Sequence, residues 1–203
     1  MKKGLAAGLG CLALIIIGVV ILAFSAWGTY NNMVTLQQSV DSSWAQVENV
    51  YQRRADLIPN LVATVKGYAA HEKGVLEAVT ASRSQVGSIK MTPEMLNNPA
   101  ELQKFQQAQA GLTSALSRLL VVAENYPDLK ANQNFLELQS QLEGTENRIT
   151  VERKRFNEVA QAYNTKIMQF PAKLFASFFN FQKKAYFQSA PGSEKAPVVD
   201  FGQ

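Results

Sequence analysis

The 203-residue chain holds one cysteine and one histidine. A lone cysteine cannot close an internal disulfide or build a multi-cysteine zinc site, and a lone histidine removes His-pair metal sites. A ferritin-like di-metal bundle needs two Glu-x-x-His pairs, whereas His71 is single and has no Glu three residues before it. Ser-His-Asp or Cys-His chemistry would rest on His71 with a remote nucleophile, and Cys11 stands inside an apolar run. No glycine-rich phosphate loop occurs either. The expectation is a protein that is not an enzyme, with no catalytic residues, cofactor or metal, and with His71 facing solvent. A metal-dependent enzyme is kept as a remote alternative.

Charge is also missing from one end. No Asp, Glu, Lys or Arg occurs from Gly4 through Val40, and Gly4 to Trp27 is almost wholly apolar. About 20 apolar residues cross the hydrocarbon core of a bilayer. Leu5, Leu14, Ile16, Val20 and Leu22 supply such a centre, and Trp27 and Tyr30 stand where an aromatic belt is expected. A cleaved signal peptide is the competing reading, because Lys2 and Lys3 form a basic start and Ala23-Phe24-Ser25 resembles a cleavage site. The run is longer than a usual signal core, so a retained anchor is favoured. Cys11 is preceded by Gly8-Leu9-Gly10, a poor lipoprotein approach, and reads as an inert membrane thiol.

Orientation is set by the flanks, since no Lys or Arg occurs between Lys3 and Arg53. The N-terminus is expected in the cytoplasm and the remainder outside the cytoplasmic membrane, with the opposite orientation as the alternative. The two N-terminal lysines account for half of the +4 net charge. The densest basic group, Arg153-Lys154-Arg155, is flanked by Glu152 and Glu158 and reads as a solvated helix face, so nucleic acid is not an expected partner.

Beyond the anchor the chain has helical periodicity throughout. From Asn132 to Phe170 a heptad stripe runs through Phe135, Leu142, Ile149, Phe156, Tyr163 and Phe170, with Leu138 and Val159 on the adjacent seam. Thr145, Glu152 and Lys166 interrupt that seam, which predicts a polar layer or a partly exposed one. A second stripe from Met33 to Val79 spaces Leu36, Val40, Trp44, Val47, Tyr51, Ile58, Leu61 and others by threes and fours, with Pro59 inside it. A kinked continuous helix is favoured there, against a new helix capped by Asp56. Asn98-Pro99-Ala100-Glu101 predicts a helix start whose face carries Leu102, Phe105, Leu112, Leu116 and Leu119 as far as Pro127. A last helix is expected over Leu174–Phe187. The predicted fold is all-α: a single N-terminal transmembrane helix (1–30), an elongated antiparallel four-helix-type bundle with coiled-coil seams (31–188), and a loose tail (189–203).

Longer blocks of residues resemble a known family. Val47-Glu48-Asn49-Val50-Tyr51-Gln52-Arg53-Arg54-Ala55-Asp56-Leu57-Ile58-Pro59-Asn60-Leu61-Val62, with Val65-Lys66-Gly67-Tyr68 after it, resembles the signature of the LemA family of bacterial membrane proteins. Glu124 to Ala131, Asn134-Phe135, Leu142 to Ile149, Arg155, Asn157, Tyr163-Asn164 and Phe170-Pro171 are similar to its later blocks. Asn180-Phe181 departs from the usual Gly-Phe. The resemblance implies a single-pass membrane protein with an antiparallel helical bundle and no established catalytic activity. It further implies an envelope scaffold, since some relatives neighbour membrane metalloproteases and one branch takes part in magnetosome membrane formation. The alternative it leaves open is an accessory or regulatory subunit of a membrane metalloprotease.

The charged residues Arg53, Arg54, Asp56, Glu143, Glu146 and Arg148 concentrate on two expected neighbouring helices. Interhelical pairing that fixes register is the simpler expectation, and a docking contact at Arg53 or Arg54 for an acidic partner or lipid head group is the functional one. Gly4-Leu5-Ala6-Ala7-Gly8 is a Gly-x-x-x-Gly pattern that allows close helix contact and thus a homo-oligomer. The expected partners are the lipid bilayer and an envelope protein, with a membrane protease among the candidates.

Overall fold

A computed structural model describes residues 2–189, apart from the side chains of residues 2–11, 13 and 22. Among the described residues six α-helices occur in order: α1 (Lys2–Tyr68), α2 (Lys73–Gly87), α3 (Pro99–Ala123), α4 (Pro127–Lys130), α5 (Gln133–Met168) and α6 (Ala172–Phe178), with a 3₁₀ turn at Pro93–Asn97 before α3. No strand occurs among the described residues, so the fold is all-α as its periodicity predicts. Leu5, Gly4, Gly8, Cys11 and Leu22 belong to α1, but their surroundings lie outside the described side chains, as does the expected tail beyond Ser189.

α1 has 67 residues and, at 1.5 Å each, is about 100 Å long. Its first part exposes Leu14, Ile16, Val20 and Trp27, and it is long and apolar enough to cross a membrane. From Met33 onward the same helix turns a buried stripe toward the other helices. It passes through Pro59 without ending, as the continuous reading expected. The proline removes one N–H, which leaves the Ala55 carbonyl four residues earlier without its helical partner. Arg83 on α2 supplies the substitute, donating Nε–H to that oxygen at 3.0 Å.

The stripe read as running on to Val79 is divided in the structure. α1 stops at Tyr68, the chain turns over residues 69–72, and α2 runs back alongside it. Ala69 is buried in this turn and its carbonyl accepts from the Glu72 N–H, so the turn satisfies its own backbone. α3 then runs outward again, bringing Tyr126 to donate to Glu72 Oε1 at 2.9 Å. α5 starts beside Tyr68, whose hydroxyl accepts from Asn132 Nδ2 at 2.9 Å, and returns along α1. The result is an antiparallel bundle of α1, α2, α3 and α5.

Local chemistry sets the helix starts. Asn98 caps α3, its side-chain oxygen accepting from the Ala100 N–H, and Asn132 caps α5 by accepting from Phe135. Phe135, Leu142, Ile149, Phe156 and Tyr163 are buried along α5, but Phe170, the last residue of the predicted stripe, is exposed. α5 ends at Met168, before the cis Phe170–Pro171 peptide, so the helical periodicity no longer places Phe170 on the core face.

The expected helix over Leu174–Phe187 is not formed. α6 covers Ala172–Phe178 only, and Asn180 ends it in the left-handed region at φ 58°, where the Phe181 N–H reaches back to the Ala176 carbonyl at 2.9 Å. This closure is one that glycine usually makes and asparagine tolerates. Residues 181–189 continue without helix, as an extended strap.

Two core clusters stack along the bundle. The distal one joins Ile58, Leu61 and Val65 of α1 to Leu76 and Val79 of α2, with Leu112 to Leu119 of α3 and Phe135 and Leu142 of α5. In the proximal one, nearer the apolar part of α1, Trp44 packs against Phe105, Phe156 and Phe187 with ring centroids 5.6–6.3 Å apart. α2 has only 15 residues and does not reach this half. Met95 and Leu96 of the 3₁₀ turn and Phe187 of the strap close the core there instead.

Candidate functional site

Between the two clusters lies a polar layer. The α1 stripe steps from Tyr51 to Ile58, and the intermediate core position is taken by Arg54, which is 2% exposed. The α3 stripe likewise steps from Phe105 to Leu112 across buried Gln109, and α5 places buried Thr145 and neighbouring Glu146 at the same level. Arg54 Nη1 donates to Glu146 Oε2 at 2.6 Å and to Thr113 Oγ1 at 3.2 Å, while Nη2 donates to Gln109 Oε1. Its Nε is buried without a partner, and its Cζ lies 5.4 Å from the Tyr51 ring centroid. Burial pushes the Tyr51 phenol up, and the two nearby guanidinium groups oppose that rise. One arginine thus ties α1 to both α3 and α5 at a single axial level.

Beside this layer opens a cleft of about 360 Å³, bordered by Tyr51, Arg54, Gln106, Gln109, Glu146 and Arg153. Its rim is the end of the strap, where Gln188 and Ser189 lie. Arg153 donates to the Gln188 carbonyl at 2.9 Å and covers the Phe187 ring at 4.8 Å.

The strap is held by side chains in place of a helix or sheet ladder. Asn164 donates to the Lys184 carbonyl and accepts from the Lys184 N–H, both at 2.8 Å. Asn157 does the same for Phe187, both at 2.9 Å. The spacing explains the match: one heptad of helix advances about 10.5 Å, and three residues of extended chain advance about 10 Å. Ala185 N–H donates to Leu96 O at 2.7 Å, and Gln188 N–H to Gln106 Oε1 at 3.1 Å. The Lys184 ammonium is pulled inward to Asn97 Oδ1 at 2.9 Å, and burial holds it below the usual lysine range. Asp41 faces the same region; burial raises its carboxyl, against the pull of Lys184.

The charged residues singled out in the sequence separate into two groups. Arg54 and Glu146 meet across α1 and α5. Arg53, Asp56, Glu143 and Arg148 line the outside of the bundle; Asp56 accepts from Gln52 and Glu143 from Gln139 within their own helices. Arg54 is buried in the polar layer, whereas Arg53 faces outward. His71 lies at the surface. Among the described residues, no three His, Cys, Asp or Glu side chains gather into a group able to hold a metal ion.

Gln109 escaped the sequence reading, although the seven-residue gaps in the α1 and α3 stripes mark both it and Arg54 as polar residues at core positions. Asn157 and Asn164 entered only as points of resemblance. Their heptad spacing on the core side of α5 is the physical signal, because mid-helix asparagine is a poor helix former unless its side chain is used.

The sequence model of the LemA family matches residues 43–201, from the first core turns of α1 past the strap. The chain belongs to the LemA family. Among its relatives, Magnetosome protein MamQ of Magnetospirillum gryphiswaldense is 25% identical over 204 residues, covering 93% of this chain and 75% of the relative. Magnetosome protein MamQ 2 of Paramagnetospirillum magneticum is 27% identical over 186 residues, covering 84% and 68%. Protein LemA of Metamycoplasma hominis is 23% identical over 175 residues, covering 86% and 76%.

Proposed function

We propose that this LemA-family chain is a non-enzymatic single-pass membrane protein whose bundle serves as an interaction scaffold in the bacterial cell envelope. The observation that carries the reading is the continuity of α1. One helix contains both the exposed apolar stretch and a full side of the bundle core, so a membrane segment would carry the bundle rigidly rather than through a linker. The N-terminus lies in the cytoplasm and the bundle outside, by the lysine bias. Relatives named as magnetosome proteins support association with a membrane.

The polar layer supports a register function for Arg54 and Glu146, while exposed Arg53 is the docking residue for an acidic envelope protein. Arg53→Glu in the full chain tests this assignment. Recovery of crosslinked partners should fall several-fold while the melting temperature stays within about a degree, since exposed substitutions alter stability little. Unchanged recovery, or equal loss of recovery and stability, would overturn it.

A further inference from the structure

At the proximal end of the bundle, α6 buries Ala172 and Ala176 against α1 and α5 and turns large apolar side chains the other way. Leu174 is 61% exposed and Phe178, one turn later, 81%; Phe170, just before the helix, is 82% exposed. An outward helix side of this kind is normally polar. The patch is also joined to the foot of the apolar segment. Phe179 packs on Tyr30 at 4.8 Å and against Phe178 at 5.0 Å, and Phe181 adds an edge contact to Tyr30 at 5.9 Å. Tyr30 lies only three residues after exposed Trp27, less than one helical turn. Asp41 and Glu94 of other elements face Lys184, but the segment that carries the patch has charge of one sign. From Val159 to Ser189 the chain has four lysines and no acidic residue, with Lys173 and Lys183 exposed.

We infer that Phe170, Leu174 and Phe178 form a second membrane contact, a foot that lies in the interfacial layer of an anionic bilayer beside the exit of α1. The inference rests on the reading of α1 as a membrane anchor and adds to it the orientation of the bundle. The occupant is lipid because the patch is continuous with the apolar surface of α1, and its flanking lysines suit anionic head groups. With two points of contact, the bundle could not swivel freely about the anchor, and the same proximal end would always face the head groups.

The test uses the full chain in vesicles of equal phosphatidylcholine and phosphatidylglycerol, with Cys11→Ser as background and one environment-sensitive fluorophore per protein. Labels are placed at Leu174→Cys, at Phe178→Cys as a second variant, at Val20→Cys in the anchor, and at exposed Val121→Cys on α3. Blue-shifted emission and loss of fluorescence to lipid-borne quenchers at 174 or 178, matching the behaviour at 20 and absent at 121, is the expected result. Water-like emission at both 174 and 178 with quenching at 20 overturns the foot and leaves the anchor standing. Water-like emission at all four positions overturns both.

Discussion

Arg83 of α2 donates its Nε–H to the Ala55 carbonyl of α1 at 3.0 Å, the very carbonyl that Pro59 leaves without a helical donor. A long helix thereby keeps a proline inside it, and the bond that proline forfeits becomes a tie to its neighbour.

That relationship predicts coupling. Arg83→Met should destabilise the bundle by about 1–2 kcal/mol, because it strands a partly buried carbonyl. In a Pro59→Ala background the helix provides its own N–H, and the cost of Arg83→Met should shrink toward zero. Denaturant unfolding of the four proteins in a double-mutant cycle checks it; equal costs in both backgrounds would reject the coupling.

The strap depends on two asparagines. Asn164→Ala leaves the N–H and C=O of Lys184 unpaired in a buried setting and should cost about 2–5 kcal/mol. Hydrogen exchange should show the amides of Lys184 and Phe187 opening faster than those of the distal α2–α3 pair. If both halves lose protection equally, the strap is not a separable unit.

The ion pair should be asymmetric. The Glu146 side chain is 48% exposed whereas that of Arg54 is 3% exposed. Glu146→Ala leaves a buried guanidinium without its counter-charge but still bonded to Gln109 and Thr113, and should cost about 1–3 kcal/mol. Removing the exposed Lys154–Glu158 pair should cost about 0–1 kcal/mol. Thermal unfolding of Glu146→Ala beside Glu158→Ala measures the difference directly.

Alkaline pH should weaken the fold through Tyr163. Burial, reinforced by Asp41, pushes its phenol from 10.0 up to about 12. The unfolded chain then releases the proton first, so stability is lost as pH rises from 10 toward 12. Tyr163→Phe should flatten this decline in denaturation midpoints measured across that range, and an unchanged slope would show that Tyr163 does not contribute.

Much of this architecture was legible because it is periodic. The α5 heptads from Phe135 to Tyr163 and the Asn98-Pro99 start of α3 depend on local spacing and capping, which a sequence displays. The end of α1 at Tyr68 was not visible, because its apolar stripe continues in phase into α2. The strap was missed for a different reason. Leu174 to Phe187 has the aromatic content of a packed helix, yet its backbone is satisfied by Asn157, Asn164 and Gln106, residues 20 or more positions away in the chain. In the polar layer, Arg54 and Glu146 stand out by charge, whereas uncharged Gln109 is marked only by the seven-residue gap in the α3 stripe.

In-cell crosslinking of the full chain tests most directly whether the bundle is a membrane-tethered scaffold, with the chain lacking residues 1–30 as the control. The full chain is expected to stay with the membrane fraction and to capture several envelope proteins or further copies of itself, and the truncated chain to lose them. Capture of a single membrane peptidase in fixed ratio, or identical capture without the apolar segment, would contradict it.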